Sequence, residues 1–172
     1  MSYKIHPSVE KWAANLLNQN SKNTPIDEVK FDNPIKTQFD LYYMFLLVGL
    51  GKGKSANISG LGLSEFIKHV TEPYQEYKYL LAGLLLSAEL THSGMSLEKK
   101  MVQQKVLEML RADSGTFLSN DANDLMNGYA YNGFEIVREA YGSVPANSHE
   151  FLIWFNEVML PDCFSSPEWS LK

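Results

Sequence analysis

Two stretches decide how this chain folds: FDLYYMFLLV at residues 39–48 and YLLAGLLLSAEL at residues 79–90. Both are apolar on nearly every side at helical spacing. A helix with no polar face has nothing to give to water, so it must be covered by other helices or by another chain. The segment between them, GLGKGKSANISGLGLS at 49–64, is rich in glycine and lysine. We therefore expect an all-α fold, an irregular bundle of six to seven helices with two central apolar helices at about 34–48 and 72–93.

Working outward, proline and glycine divide the rest. His6-Pro7-Ser8 opens a first helix, in which Val9, Trp12, Ala13, Leu16 and Leu17 form one stripe. Asn18–Pro25 reads as a polar loop. Asn33-Pro34 supplies a cap and a first-turn proline for the helix that runs to Val48 and stops near Gly49 or Gly51. Ser64–Val70 is a short helix candidate. Thr71-Glu72-Pro73 starts the second central helix and Gly94 ends it. Gly83, in its middle, costs roughly 1 kcal/mol against alanine, so we expect it to let a neighbouring helix approach closely. Ser96 caps a helix to Arg111. The next runs from Asp121 to Tyr141, where Gly128 and Gly133 suggest a kink. Asn147 and Glu150 resemble a capping box opening an aromatic last helix, which Pro161 stops. No strand alternation and no repeat stands out. Residues 1–172 read as one helical domain with 161–172 as a loosely held tail.

Composition narrows the function. At 45% hydrophobic and 20% charged the chain is globular, and 172 residues suffice for a sizeable core. The net charge is -5, which disfavours a free-standing nucleic-acid binder. That charge is uneven: residues 119–172 hold eight acids and two bases, whereas residues 1–118 carry +1. An acidic third of this kind either steers a basic partner or keeps the protein soluble. Cys163 is the only cysteine, so no intramolecular disulfide forms and a reducing, cytoplasmic setting is expected. The start MSYKIHPSVEKW lacks the apolar core of a secretory signal. Neither apolar stretch reaches the roughly 18–20 residues that span a bilayer, so no membrane role is expected.

Chemistry-bearing motifs fail on spacing. Gly53-Lys54-Ser55 ends like a phosphate-binding P-loop, but Val48 stands where its first glycine belongs and the context is a helix rather than a strand. A weaker anion- or partner-binding loop remains, made of Gly49, Gly51, Lys52, Gly53, Lys54 and Ser55, set against a plain connecting loop. Glu89 and His92, at i and i+3, form half of a di-metal motif whose second half is absent; Glu65 and His69 are the nearest substitute. Glu89 and His92 are the weak metal candidates, and a helix-end hydrogen bond is the alternative. Asp162 beside Cys163 raises a thiol pKa rather than lowering it, and His6, His69, His92 and His149 form no recognisable triad. Lys99, Lys100 and Lys105 follow a turn at 92–95 in the outline of a helix-turn-helix, yet Glu98 and Glu108 dilute them.

No catalytic residue and no cofactor is assigned on this reading. The leading expectation is a non-catalytic accessory subunit that binds another macromolecule, a protein or a second copy, through the Gly49–Ser55 loop and the aromatic last helix with Trp154 and Phe155. The alternatives are nucleic-acid association through Lys52, Lys54, Lys99, Lys100 and Lys105, and a metal-dependent enzyme at Glu89 and His92.

Overall fold

The computed structural model describes residues 2–17, 34–70, 72–92 and 99–164. The chain is mostly helical with one two-stranded sheet. Strand β1 is Tyr3–Ile5 and α1 is Pro7–Leu17. Helix α2 is Gln38–Gly51, strand β2 is Ser64–Ile67, and a 3-10 helix at Glu72–Tyr77 leads into α3, Lys78–His92. Then come α4, Lys99–Met109, and α5, Asn120–Tyr141. Helix α6, Ser148–Trp154, continues through a π turn at Phe155–Met159 into α7, Leu160–Phe164. Counting that last rod once, six helices stand among the described residues.

Helix α2 is apolar all round because it is the wall between two cores. Its Tyr42, Leu46 and Leu50 side chains join Leu81 and Leu85 of α3 and Met126 of α5 in one cluster. Leu41, Phe45 and Val48, on its other side, join Trp12 of α1, Phe134 of α5 and Phe151 of α6 in a second. Trp12 anchors that second core with edge-on contacts to Phe45, Phe134, Tyr141 and Phe151 at 5.6–6.2 Å between centroids. Such aromatic pairs add about 0.5–1.5 kcal/mol each beyond their buried area.

The central pair is α2 with α5, not α2 with α3. At Gly133 an added Cβ would fall on the Phe45 carbonyl oxygen, and at Gly49 on that of Tyr129. The missing side chains let the two backbones touch. Gly128 plays the same part for the loop after α2, whose Ala56 donates its N–H to the Gly128 carbonyl at 3.1 Å. Helix α5 runs unbroken through both glycines, which serve close approach. Gly83 has the opposite role from the one expected: it is exposed, with nothing within 4 Å of a Cβ built there. Helix α3 buries only the face carrying Leu81, Ala82, Leu85 and Ala88.

Several boundaries differ from expectation for local reasons. Asn33 lies outside the described residues, and α2 starts at Thr37 instead. The Thr37 hydroxyl accepts from the Asp40 N–H at 3.3 Å while Asp40 Oδ2 accepts from the Thr37 N–H at 2.6 Å, a reciprocal cap. Ser64–Val70 is not a helix. Ser64–Ile67 pairs antiparallel with β1, matching Tyr3 to Ile67 and Ile5 to Ser64. The alternation that makes β1 a strand is only three residues long, with Tyr3 and Ile5 inward. Two strands alone are marginal in water. Here Asn127 on α5 accepts the Lys4 N–H at 2.9 Å, and both Asn123 and Asn127 donate to the Ser2 carbonyl. Pro161 does not stop the last helix. It falls in the first turn of α7, where a missing N–H is tolerated, after a π turn that already breaks the i→i−4 ladder. Cys163 is 1% exposed and belongs to the second core, while Pro161 and Asp162 are exposed. The Ser96 cap and Gly94 stop lie outside the described residues, as does the chain from 165 on.

Replacing Gly133 by alanine is expected to lower the unfolding free energy by at least about 2 kcal/mol through overpacking. Gly83→Ala is expected to raise it by about 0.5–1 kcal/mol. Urea denaturation of the two variants checks the pair; equal effects would refute the placement of the close contact.

Candidate interaction surface

The glycine-lysine loop is fastened to the helices beside it. Its N–H groups are spent on carbonyls: Lys52 to Val48, Gly53 to Leu50, Lys54 to Gly49 and Ala56 to Gly128, at 2.9–3.3 Å. The Ser55 hydroxyl donates to the Leu125 carbonyl at 3.2 Å. Gly49 and Gly51 are buried within α2. Lys52 reaches Asp162 Oδ2 at 2.7 Å and pins α7. Lys54 is exposed and makes no ion pair with the described residues. Gly53 has a φ of +64, and a Cβ there would strike the His92 ring.

Glu89 and His92 are brought near that loop but not to each other's service. Glu89 Oε1 accepts from the Tyr129 hydroxyl at 2.8 Å, and Oε2 pairs with Lys105 at 3.6 Å. His92 Nδ1 lies 2.6 Å from the Ala88 carbonyl, which only accepts, so that nitrogen carries the proton. Glu89 thus ties α3 to α4 and α5. Among the described residues no group of three or more His, Cys, Asp or Glu side chains is arranged to hold a metal ion. Tyr129 is pushed well above the usual tyrosine pKa, first by burial and then by its bond to the Glu89 carboxylate. Tyr74 shifts the same way, by burial and by its hydrogen bond to Asp40. Burial of the Cys163 thiol raises its pKa; Lys52 opposes the shift and Asp162 adds to it.

The expected aromatic surface on the last helix is mostly interior. Phe155 is 3% exposed and packs on Phe151. Trp154 is half-buried against Tyr141. The outward side chains of that rod are instead Glu150, Ile153, Glu157 and Val158. Of the lysines considered for nucleic acid, Lys52 and Lys105 are held in ion pairs, and Lys99 and Lys100 are exposed.

Uncovered apolar surface is found on α3 and α4 instead. Leu107 is 79% exposed, Tyr79 58% and Leu80 50%. Tyr79 packs edge-on against Phe117, with centroids 4.8 Å apart. Phe117 sits in a left-handed conformation, φ +62, which costs a bulky residue about 1–2 kcal/mol. The turn that holds it is bound on both sides: its N–H bonds to the Ser114 carbonyl, its carbonyl to the Arg111 N–H, and the Ser114 hydroxyl to the Leu118 carbonyl. An open depression of about 170 Å³ runs along α4 over Met101, Gln104, Lys105 and Glu108. The sequence signal for this surface was present in the unbroken apolar run of α3, which has more leucine than one buried face can use. By contrast, the crevice between His6, Val9, Tyr131 and Phe134 has a volume of about 10 Å³, far below the usual range of ligand sites.

The tyrosine shifts fix a pH response. A tyrosine whose folded pKa is raised stays neutral in the native state while its unfolded counterpart ionises near pH 10, so the stability it contributes is intact below pH 10 and declines as pH rises further. In a tyrosinate absorbance titration, Tyr3, Tyr42, Tyr74 and Tyr129 are expected to remain protonated past pH 10 until the chain unfolds. Ionisation of all nine tyrosines in a single step with the fold intact would contradict this.

No helix among the described residues is long and apolar enough to cross a membrane. No protein-family model matches the chain, and neither a curated protein nor a solved structure is significantly similar to it.

Proposed function

We propose that this protein is a non-catalytic helical accessory subunit that works by docking another macromolecule on the outer layer formed by α3 and α4. The observation that carries the reading is the exposure of Leu107, Tyr79 and Leu80 on helices that already have a buried face. Leu107, exposed on the helix that carries Lys99 and Lys100 and is followed by Arg111, suits the rimmed apolar centre of a protein interface. The glycine-lysine loop, whose amides are committed within the chain, serves the fold and supports the surface from behind. A nucleic-acid role has less support, because Lys52 and Lys105 are already neutralised by Asp162 and Glu89. Glu89, engaged by Tyr129 and Lys105, is likewise poorly placed for metal chemistry.

The test is a cross-linking recovery from native cells with tagged chain. Leu107→Asp and Leu80→Asp change solvent-facing positions and are expected to alter stability by no more than about 0.5 kcal/mol. They are expected to lose the partner that the unaltered chain recovers, by tenfold or more. An identical set of recovered molecules from both would sink the proposal.

A further inference from the structure

Two outward helix faces of this chain complement one another. On α4, Lys100, Gln103, Gln104 and Leu107 occupy successive turns and are all exposed, with Lys99 at one end and Arg111 just past the other. Lys105 is turned away to Glu89, and among the described residues of α4 the acid on this face is Glu108, which accepts from Gln104 at 2.9 Å. The face is therefore basic around a leucine. On the α6–π rod, Glu150, Ile153 and Glu157 are spaced i, i+3 and i+7, and all are exposed beside Val158. No Lys or Arg occurs between residues 139 and 164. That face is acidic around isoleucine and valine. Lys99, Lys100, Glu150 and Glu157 make no ion pair with the described residues.

We infer that the occupant of the α4 surface is a second copy of this chain, which presents its α6–π rod. The inference rests on the docking surface proposed above and names its partner. Leu107 meets Ile153 and Val158, which are 44% and 51% exposed, while Lys99, Lys100 and Arg111 face Glu150 and Glu157. Among the described residues both faces stay open, and their complementary charges can meet between molecules. The contact joins two different patches. It is heterologous, and successive copies add head to tail into a closed ring or an open filament. Rim charges of this kind mainly speed encounter and fix orientation, so the association is salt-sensitive.

Sedimentation velocity on the full chain tests this. The unaltered protein is expected to associate with rising concentration, at least tenfold more weakly at high salt than at low salt. Leu107→Asp removes one face and Ile153→Asp the other, and both positions are solvent-facing, so circular dichroism should be unchanged. Each variant alone is expected to be monomeric. An equal mixture is expected to form a dimer and nothing larger, because one intact α4 face then meets one intact rod face. A monomeric unaltered chain at every concentration would overturn the inference, as would association surviving in either variant alone. If the unaltered chain stays monomeric while cross-linking still recovers a Leu107-dependent partner of another kind, self-association fails and the accessory-subunit reading stands.

Discussion

The contact between α2 and α5 governs everything else. Two backbones meet at Gly49 and Gly133, too close for a side chain on either. Packing at that distance fixes the angle and height of α5 against α2. It therefore fixes where Tyr129 stands, and through Tyr129 where Glu89 and α3 lie. The same contact sets Phe134 beside Phe45 and Trp12 and so places α1 and α6. A pair of glycines thus positions elements on both sides of the molecule.

A second layer of order comes from polar clips rather than apolar packing. Asn123 and Asn127 hold β1, Glu89 joins α3, α4 and α5, Asp40 gathers the start of α2 and the Tyr74 hydroxyl, and Lys52 holds α7. Buried polar groups are usually hydrogen-bonded, and Asn127 is, with Lys4, Tyr42 and Ser2 as partners, whereas the buried Asn123 Oδ1 has no partner among the described residues. Residues with plausible chemistry by type are largely consumed in these clips. That consumption is why side-chain inventories mislead for this chain. Glu89, His92, Lys52 and Lys105 each look available in one dimension and are engaged in three.

What the residues disclose in advance follows from range. Helical periodicity is local, so α1, α2, α4 and α5 are legible, and so is the Asn147 cap on α6, which accepts the Glu150 N–H at 2.8 Å. Close approach is a property of pairs. Nothing local distinguishes Gly133, pressed on Phe45, from Gly83, facing open space. The strand at Ser64–Ile67 exists because Tyr3–Ile5, some 60 residues earlier, is available to pair with it. The outward face of α3 was hidden by the assumption that an apolar run must be buried throughout, whereas Tyr79 and Leu80 are half or more in solvent. The loop at Gly49–Ser55 shares the composition of a phosphate site, but the Lys52, Gly53 and Lys54 amides are already bonded to carbonyls of the chain.

The position of α2 has a consequence for how the molecule comes apart. Because it lines both clusters, neither can open without stripping one flank of the same helix. Sub-global opening then has no cheap route through the centre, and the two halves lose structure in one cooperative transition. The amides of α2 are accordingly the last to exchange with solvent deuterium, even though this helix belongs to neither half alone.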